Sequence, residues 1–311
     1  MITENITFIS RCDGLELDGL IIAPENPKAV LQLAHGMCEH KERYIPFMEY
    51  MAEQGFACVI HDHRGHGRSV KAISDLGYFY ENGAEALVED TYQVLEETKK
   101  RYQGLPYILM GHSMGSLGVR CFAKKYDGEI DALIVCGSPS ANDMVDFGIG
   151  LVRLLKKCKG GYGKSRLMDY MVTGNCNKVF AKEQLKSSWI TSDKSVVEAY
   201  NADPYCNYTF TLNGYEALLL LMKNTYSKKG WKLLKNELPI HFIAGAEDPY
   251  ITNASKFESA VQFLRDRGYK NVTAKLYEGM RHEVLNEKNK AIVYKDVVEF
   301  CTGISGKVDD K

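Results

Sequence analysis

The chain has 311 residues, of which 45% are hydrophobic and 25% charged, so it can fold as one large globular domain or as a core domain with an insertion. Its 39 basic and 40 acidic residues give a formal net charge of -1, and no charge excess favours binding to nucleic acid or bulk attraction to anionic lipid. No apolar run approaches a membrane span, the N-terminus lacks the pattern of a signal peptide, and the nine cysteines lack C-x-x-C spacing, which together favour a cytoplasmic protein with buried, reduced thiols.

The first half of the chain alternates apolar strands with helices. Six strands are predicted, at residues 6–9, 15–22, 30–34, 56–60, 107–110 and 130–136. Helices are predicted at about residues 42–54 and 84–101 and from Met114 onwards. Continuous apolar strands that alternate with helices indicate a mostly parallel sheet covered by helices on both faces, the α/β class.

The alternation stops near Ser138 and resumes with the predicted strand 239–244. A helix at about 253–267, a strand at 272–277 and a last helix at about 286–300 follow, and residues 303–311 read as a polar, mobile tail. The chain is therefore divided into an α/β core of residues 1–138 and 236–311 and a helical cap of residues 139–235. An insertion after the sixth strand is expected to lie over the carboxyl ends of the strands, where such sheets bind ligands.

Residues 111–115, Gly-His-Ser-Met-Gly, follow one predicted strand and open the next helix. A serine on a sharp strand-to-helix turn has a strained backbone, and only small neighbours leave room for that turn. The turn lifts the hydroxyl of Ser113 clear of the sheet. The pattern predicts that Ser113 is the nucleophile of a serine hydrolase.

A serine nucleophile needs a base, and the base needs a carboxylate to orient it. Asp248 follows the strand 239–244 and His282 follows the strand 272–277, which gives the chain order Ser, acid, His. Glu247 is the nearest competitor for the acid, but an Asp-Pro turn fits the position better. Each residue alone reads as an ordinary loop residue, whereas three of them in the right order at three strand ends predict a triad.

The negative charge that develops on a substrate carbonyl needs two backbone N–H donors. The N–H of Met114 lies at a predicted helix N-terminus, which favours negative charge. The loop 35–40 follows the third strand, and we assign the N–H of Met37 there as the second donor. The alternative is that this loop is a plain connection.

Three of the eight histidines, His61, His63 and His66, are spaced as H-x-H-x-x-H. That spacing resembles the metal loop of metallo-β-lactamase-like hydrolases. Gly65 stands where such a loop has an aspartate, and no further ligand set follows downstream. We therefore interpret the segment as a rigid turn and expect no metal.

These motifs together resemble the α/β-hydrolase superfamily, and most of all its monoacylglycerol lipase and lysophospholipase group, which is grouped with serine aminopeptidase S33-like hydrolases. The matching segments are residues 35–40, 62–69, 111–116, 245–248 and 279–283. The resemblance implies an eight-stranded sheet, a triad of Ser113, Asp248 and His282, oxyanion donors at Met37 and Met114, and neither metal nor organic cofactor. Cys38 and Ser116 depart from the small residues usual in the family, which bears on substrate range more than on catalysis.

The cap selects the substrate in such enzymes, and its first segment is apolar and then basic. Residues 144–155 are rich in Met, Val, Phe, Ile and Leu, and Lys156, Lys157 and Lys159 follow. This pattern fits either a flap that docks on a membrane surface or an ordinary helix packed on the core. Residues 218–221 fit either the wall of an acyl tunnel or plain core.

We expect a carboxylic ester hydrolase that acts through an acyl-enzyme on small-molecule acyl esters: monoacylglycerol, lysophospholipid or similar medium- or long-chain esters. A small-ester esterase, a thioesterase and an aminopeptidase remain alternatives on the same triad. A noncatalytic binding protein on the same scaffold is the alternative from another class, and the intact triad argues against it. The sequence leaves the oligomeric state open.

Overall fold

The computed structural model describes residues 1–306. Eight strands form one sheet: β1 Ile2–Ile9, β2 Glu16–Ala23, β3 Ala29–Ala34, β4 Phe56–His61, β5 Tyr107–His112, β6 Ala132–Cys136, β7 Ile240–Gly245 and β8 Val272–Tyr277. The strands lie in the order β1-β2-β4-β3-β5-β6-β7-β8. Strand β2 is antiparallel to β1 and β4, and the remaining neighbours are parallel. The predicted eight-stranded, mostly parallel sheet is confirmed.

Helices cover the sheet on both sides, and the central strands are therefore buried along their whole length. The helices of the core segments are α1 Ile45–Glu53, α2 Gly83–Arg101, α3 Met114–Tyr126, α9 Ala254–Arg265 and α10 Lys290–Ser305. Apolar residues of α1 and α10 pack in one hydrophobic cluster, and those of α2, α3 and α9 pack in a second one.

The chain between β6 and β7 is helical. Its helices are α4 Val145–Lys159, α5 Arg166–Asp169, α6 Asn175–Val179, α7 Lys194–Ala202 and α8 Leu212–Tyr226. Leu212, Tyr215 and Leu221 of α8 are buried in the same cluster as α2 and α3, so this segment is packed onto the core. In residues 1–306, no helix combines the length and the apolar character that a membrane crossing requires.

Three details of the sequence prediction are wrong. The last helix was expected at 286–300 but runs from Lys290 to Ser305, because Val284–Asn286 forms a short 3-10 turn first. The expected polar tail therefore begins later than Gly303, and residues 307–311 lie outside the described part. All nine cysteines are free, but Cys12 and Cys158 are exposed and not buried.

Candidate active site

The site lies where the strand order reverses. Strand β3 has β4 on one side and β5 on the other, so the chains that leave β3 and β5 turn in different directions and open a crevice at the carboxyl edge. Ala34 at the end of β3 pairs with Gly111 near the end of β5. This register places the loop 35–40 beside Ser113.

Ser113 has a backbone that L-residues rarely adopt, with φ +53° and ψ -117°. Two glycines make this turn sterically feasible. A Cβ on Gly111 would lie 2.4 Å from the carbonyl oxygen of Gly115, and a Cβ on Gly115 would lie 2.1 Å from that of Ala34. The G-x-S-x-G spacing therefore lets β5, α3 and β3 approach one another closely while the serine stands at the crevice.

His282 and Asp248 form a buried pair. The Nδ1 of His282 is 2.8 Å from the Oδ2 of Asp248, and both side chains are almost inaccessible to water. The other oxygen of Asp248 accepts the N–H of Tyr250 at 2.8 Å, which fixes the carboxylate. Glu247, the competing acid, is exposed. Among the described residues, the buried Nε2 of His282 has no hydrogen-bond partner.

The segment between α6 and α7 holds the loop that carries His282. The rings of Trp189 and Tyr250 pack against the imidazole, with centroids 5.2 and 4.9 Å away. The N–H of Glu283 donates to the carbonyl of Ile190 at 2.7 Å, and the guanidinium of Arg281 donates to the carbonyl of Ser188 at 2.6 Å. The position of the imidazole thus depends on residues far away in sequence.

Met37 and Met114 line the same cavity as Ser113. Among the turn, loop and cap hydrogen bonds of residues 1–306, none uses the backbone N–H of Met37 or of Met114 as donor. Met114 is the first residue of α3, where a backbone N–H has no partner within the helix. Cys38 has φ +56°, a backbone conformation that glycine adopts at less cost than other residues. Its carbonyl accepts the N–H of Asn207 at 3.2 Å and its thiol donates to the carbonyl of Tyr208, so the loop is tied to the segment after α7.

The sequence analysis missed a buried ionic network beside the serine. The guanidinium of Arg43 donates to Glu39 at 2.7 Å and to both carboxylate oxygens of Glu283 at 2.7 and 2.6 Å. Glu39 also contacts His112, whose Nδ1 lies 3.3 Å away. Burial raises the pKa of Glu39, but the contacts with His112 and the charge of Arg43 outweigh it, so that the pKa lies well below its usual value. The spacing of Glu39 and Arg43, four residues apart, was the available signal.

The histidines of the H-x-H-x-x-H segment lie in the interior. His61, His63 and His66 are fully buried, and the ring of His63 lies 4.3 Å from that of His35. Burial lowers the pKa of His61 and of His66 to about 4. Within the described chain, one group of three potential ligands is close enough to share a metal ion: His40, Asp203 and Cys206. Both ring nitrogens of His40 already contact carboxylates there.

The cavity in front of Ser113 contains about 940 Å³ of space, including its open mouth. Gly36, Ser113 and His282 are among the residues that line it, and residues between 169 and 222 supply much of the rest of the lining. A concave site with a largely apolar lining and a few polar groups is typical of sites for small molecules with an extended apolar part.

Several known proteins are similar to this chain over most of its length. A family model described as serine aminopeptidase, S33, matches residues 25–289. A monoacylglycerol lipase of Mycolicibacterium smegmatis is 29% identical over 279 residues, which are 88% of each chain, and a monoglyceride lipase of Rattus norvegicus is 24% identical over 98% of this chain and 92% of its own. The crystal structure of a thermostable carboxyl esterase from Bacillus coagulans in complex with glycerol has a TM-score of 0.88 at 24% identity, covering 98% of this chain and 99% of that one.

The sheet and the loops at its carboxyl edge define an α/β-hydrolase. Since the family model spans most of the sequence, the chain belongs to the serine aminopeptidase S33 family, in its monoacylglycerol lipase and lysophospholipase group, and is a carboxylic ester hydrolase. The resemblance stated from the sequence motifs is thereby confirmed.

Proposed function

We propose that the protein hydrolyses medium- and long-chain acyl esters, monoacylglycerols or lysophospholipids, with Ser113, His282 and Asp248 as catalytic triad. The observation that carries the proposal is the strained serine in the same apolar cavity as a buried imidazole whose Nδ1 is paired with a carboxylate 2.8 Å away. The pairing leaves Nε2 as the nitrogen that can accept a proton.

In the mechanism, the Oγ of Ser113 attacks the ester carbonyl while His282 takes the hydroxyl proton on Nε2. The negative oxygen of the tetrahedral intermediate accepts the N–H groups of Met37 and Met114. His282 then gives its proton to the departing alcohol, which leaves an acyl group on Ser113. Water, deprotonated by the same imidazole, hydrolyses that acyl-enzyme, and Asp248 holds the ring in one tautomer throughout.

The cavity supports the choice of an acyl substrate. Its lining contains aliphatic side chains from the core and from the inserted helices: Leu117, Pro139, Val172, Ile190, Leu218 and Met222. Two of the acidic residues in the lining, Glu39 and Glu283, are paired with Arg43, so neither offers a free carboxylate to the amino group of a peptide. These features favour a lipid ester over a peptide.

The test is hydrolysis of p-nitrophenyl esters with two to sixteen carbons, beside 1-monoacylglycerol and lysophosphatidylcholine, with Ser113→Ala as the control. We expect higher kcat/KM on long chains and turnover of a lipid, and no turnover by Ser113→Ala at an unchanged melting temperature. Preference for acetate without lipid turnover would make the protein a small-ester esterase. Full activity of Ser113→Ala would refute the triad.

We further propose that α4 touches the membrane surface that supplies such lipids. Met144, Phe147 and Leu154 are each more than half exposed, and α4 ends in Lys156, Lys157 and Lys159. An exposed apolar face flanked by lysines suits the headgroup boundary. The double substitution Phe147→Ser and Leu154→Ser should reduce co-sedimentation with anionic vesicles, whereas Ile292→Ser, an equally exposed residue on α10, should not. Equal losses in both variants would refute the contact.

A further inference from the structure

We propose that Glu39 and His112 are positioning residues that fix the loop of Met37 and the loop of His282 in place relative to Ser113. The inference rests on the proposed triad, since it concerns how that triad is kept in place. Neither side chain takes part in bond making. Their role follows from what their buried polar atoms contact.

Glu39 fixes the loop after β3. Its Oε1 accepts the N–H of Gly36 at 2.5 Å and the hydroxyl of Tyr44 at 2.9 Å. Gly36 precedes Met37, so holding one N–H sets the direction of the next along the chain. The loop also lies tightly against the nucleophile, because a Cβ on Gly36 would be 3.1 Å from the Cβ of Ser113.

His112 connects that carboxylate to the loop after β8. Its Nδ1 lies 3.3 Å from Glu39 Oε1, and its Nε2 lies 3.2 Å from the carbonyl oxygen of His282. Both neighbours are acceptors, so both ring nitrogens have to donate and the ring is a cation. A single buried imidazolium therefore ties together the serine turn, the oxyanion loop and the loop of the general base.

The charges of the buried network balance only if His112 is protonated. Glu39 and Glu283 contribute two negative charges, and Arg43 and His112 contribute two positive charges. Burial lowers the pKa of His112, but the hydrogen bond and charge of Glu39 outweigh burial and raise it. Without the imidazolium, an unpaired negative charge would remain in the lining of the cavity where the oxyanion forms, which opposes the reaction.

The decisive variant is Glu39→Gln, which keeps an oxygen for the N–H of Gly36 but removes the charge that holds His112 as a cation. We expect kcat per active site to fall about 10- to 100-fold, since a displacement of about 1 Å costs on the order of 100-fold and a lost oxyanion donor costs more. KM for p-nitrophenyl butyrate should change by less than about threefold, because the aliphatic side chains of the cavity are unchanged.

Two controls separate positioning from folding. Active sites are counted by titration with a fluorophosphonate probe, so unfolded protein does not lower kcat per site. Glu42→Gln is the matched variant, because Glu42 lies two residues after the loop 35–40 but contacts His40 and Lys41 and lies outside the network. We expect it to have the kcat of the unmodified enzyme. If Glu39→Gln fails to fold, His112→Asn, which removes the Nε2 contact, replaces it with the same expected loss.

The outcomes are distinct. A kcat per titrated site within about threefold of the unmodified enzyme would overturn the inference while the triad stands. A loss seen only in the number of titratable sites would mean that Glu39 serves folding alone, and would overturn it as well. No labelling of Ser113 in the unmodified chain would refute the proposed function itself, and the inference with it.

Discussion

The loss of unfolding free energy at low pH tests whether the buried histidine His61 is uncharged in the folded protein. Both ring nitrogens of His61 are buried without a hydrogen-bond partner among the described residues. Burial, helped by the charge of Arg64, lowers the pKa of His61 from 6.5 to about 4. The unfolded chain therefore binds a proton first as the pH falls. Stability from this group is present above pH 6.5 and is lost between pH 6.5 and about 4.

The size of the effect follows from the two pKa values. Between pH 7 and pH 5, protonation of His61 in the unfolded chain alone should cost about 2 kcal/mol of unfolding free energy. The substitution His61→Leu removes that titration. Its packing effects are the same at both pH values, so they cancel when the loss on acidification is compared between variant and unmodified protein.

The assay is urea unfolding of both proteins at pH 7 and pH 5. From pH 7 to pH 5, the free energy of unfolding should fall in both proteins, and we expect the fall to be about 2 kcal/mol smaller in His61→Leu than in the unmodified chain. His66→Leu should behave alike, because burial also lowers the pKa of His66 to about 4. Equal losses in His61→Leu and the unmodified chain would show that His61 is hydrated or paired, and would refute the reasoning.

Other perturbations give further expected results. Under the proposed triad, Asp248→Asn should lower kcat about ten-thousandfold by selecting the wrong tautomer of His282, while Glu247→Gln keeps it; the reverse in ester hydrolysis would move the acid to Glu247. Burial lowers the pKa of His40, but its two carboxylates outweigh burial and raise it, so the folded protein gains stability from this group as the pH falls. His40→Leu lacks that gain and should lose more stability than the unmodified protein from pH 7 to 5. A smaller loss in urea unfolding would contradict this sign. Gly115→Ala should cost about 3 kcal/mol or more, because its Cβ meets the carbonyl of Ala34, and a cost under about 1 kcal/mol would contradict the steric argument.

Local patterns were sufficient for the strands and for the family. The apolar runs are short and bounded by turn residues, so they identify strands, and the structure has strands at all eight places. Only the four central strands are buried along their whole length. The turn at Ser113 was readable because it needs glycine at fixed offsets, which the steric contacts of Gly111 and Gly115 explain. Local patterns predicted the helix ends less well: the last helix was expected to begin at about residue 286, but a 3-10 turn occupies Val284–Asn286 and α10 begins at Lys290.

The sequence by itself indicated the class of enzyme, because the residues proposed to react follow strand ends and their order along the chain is visible. Only the tertiary structure decided what surrounds them. The partners of Glu39 include Gly36 and Tyr44 nearby but also His112, 73 residues away, and Arg43 joins Glu283 across 240 residues. Such contacts arise from strand order, which local propensity does not encode. The same holds for the exposure of Glu247 and the burial of Asp248, since adjacent residues differ only in which way the folded turn points them.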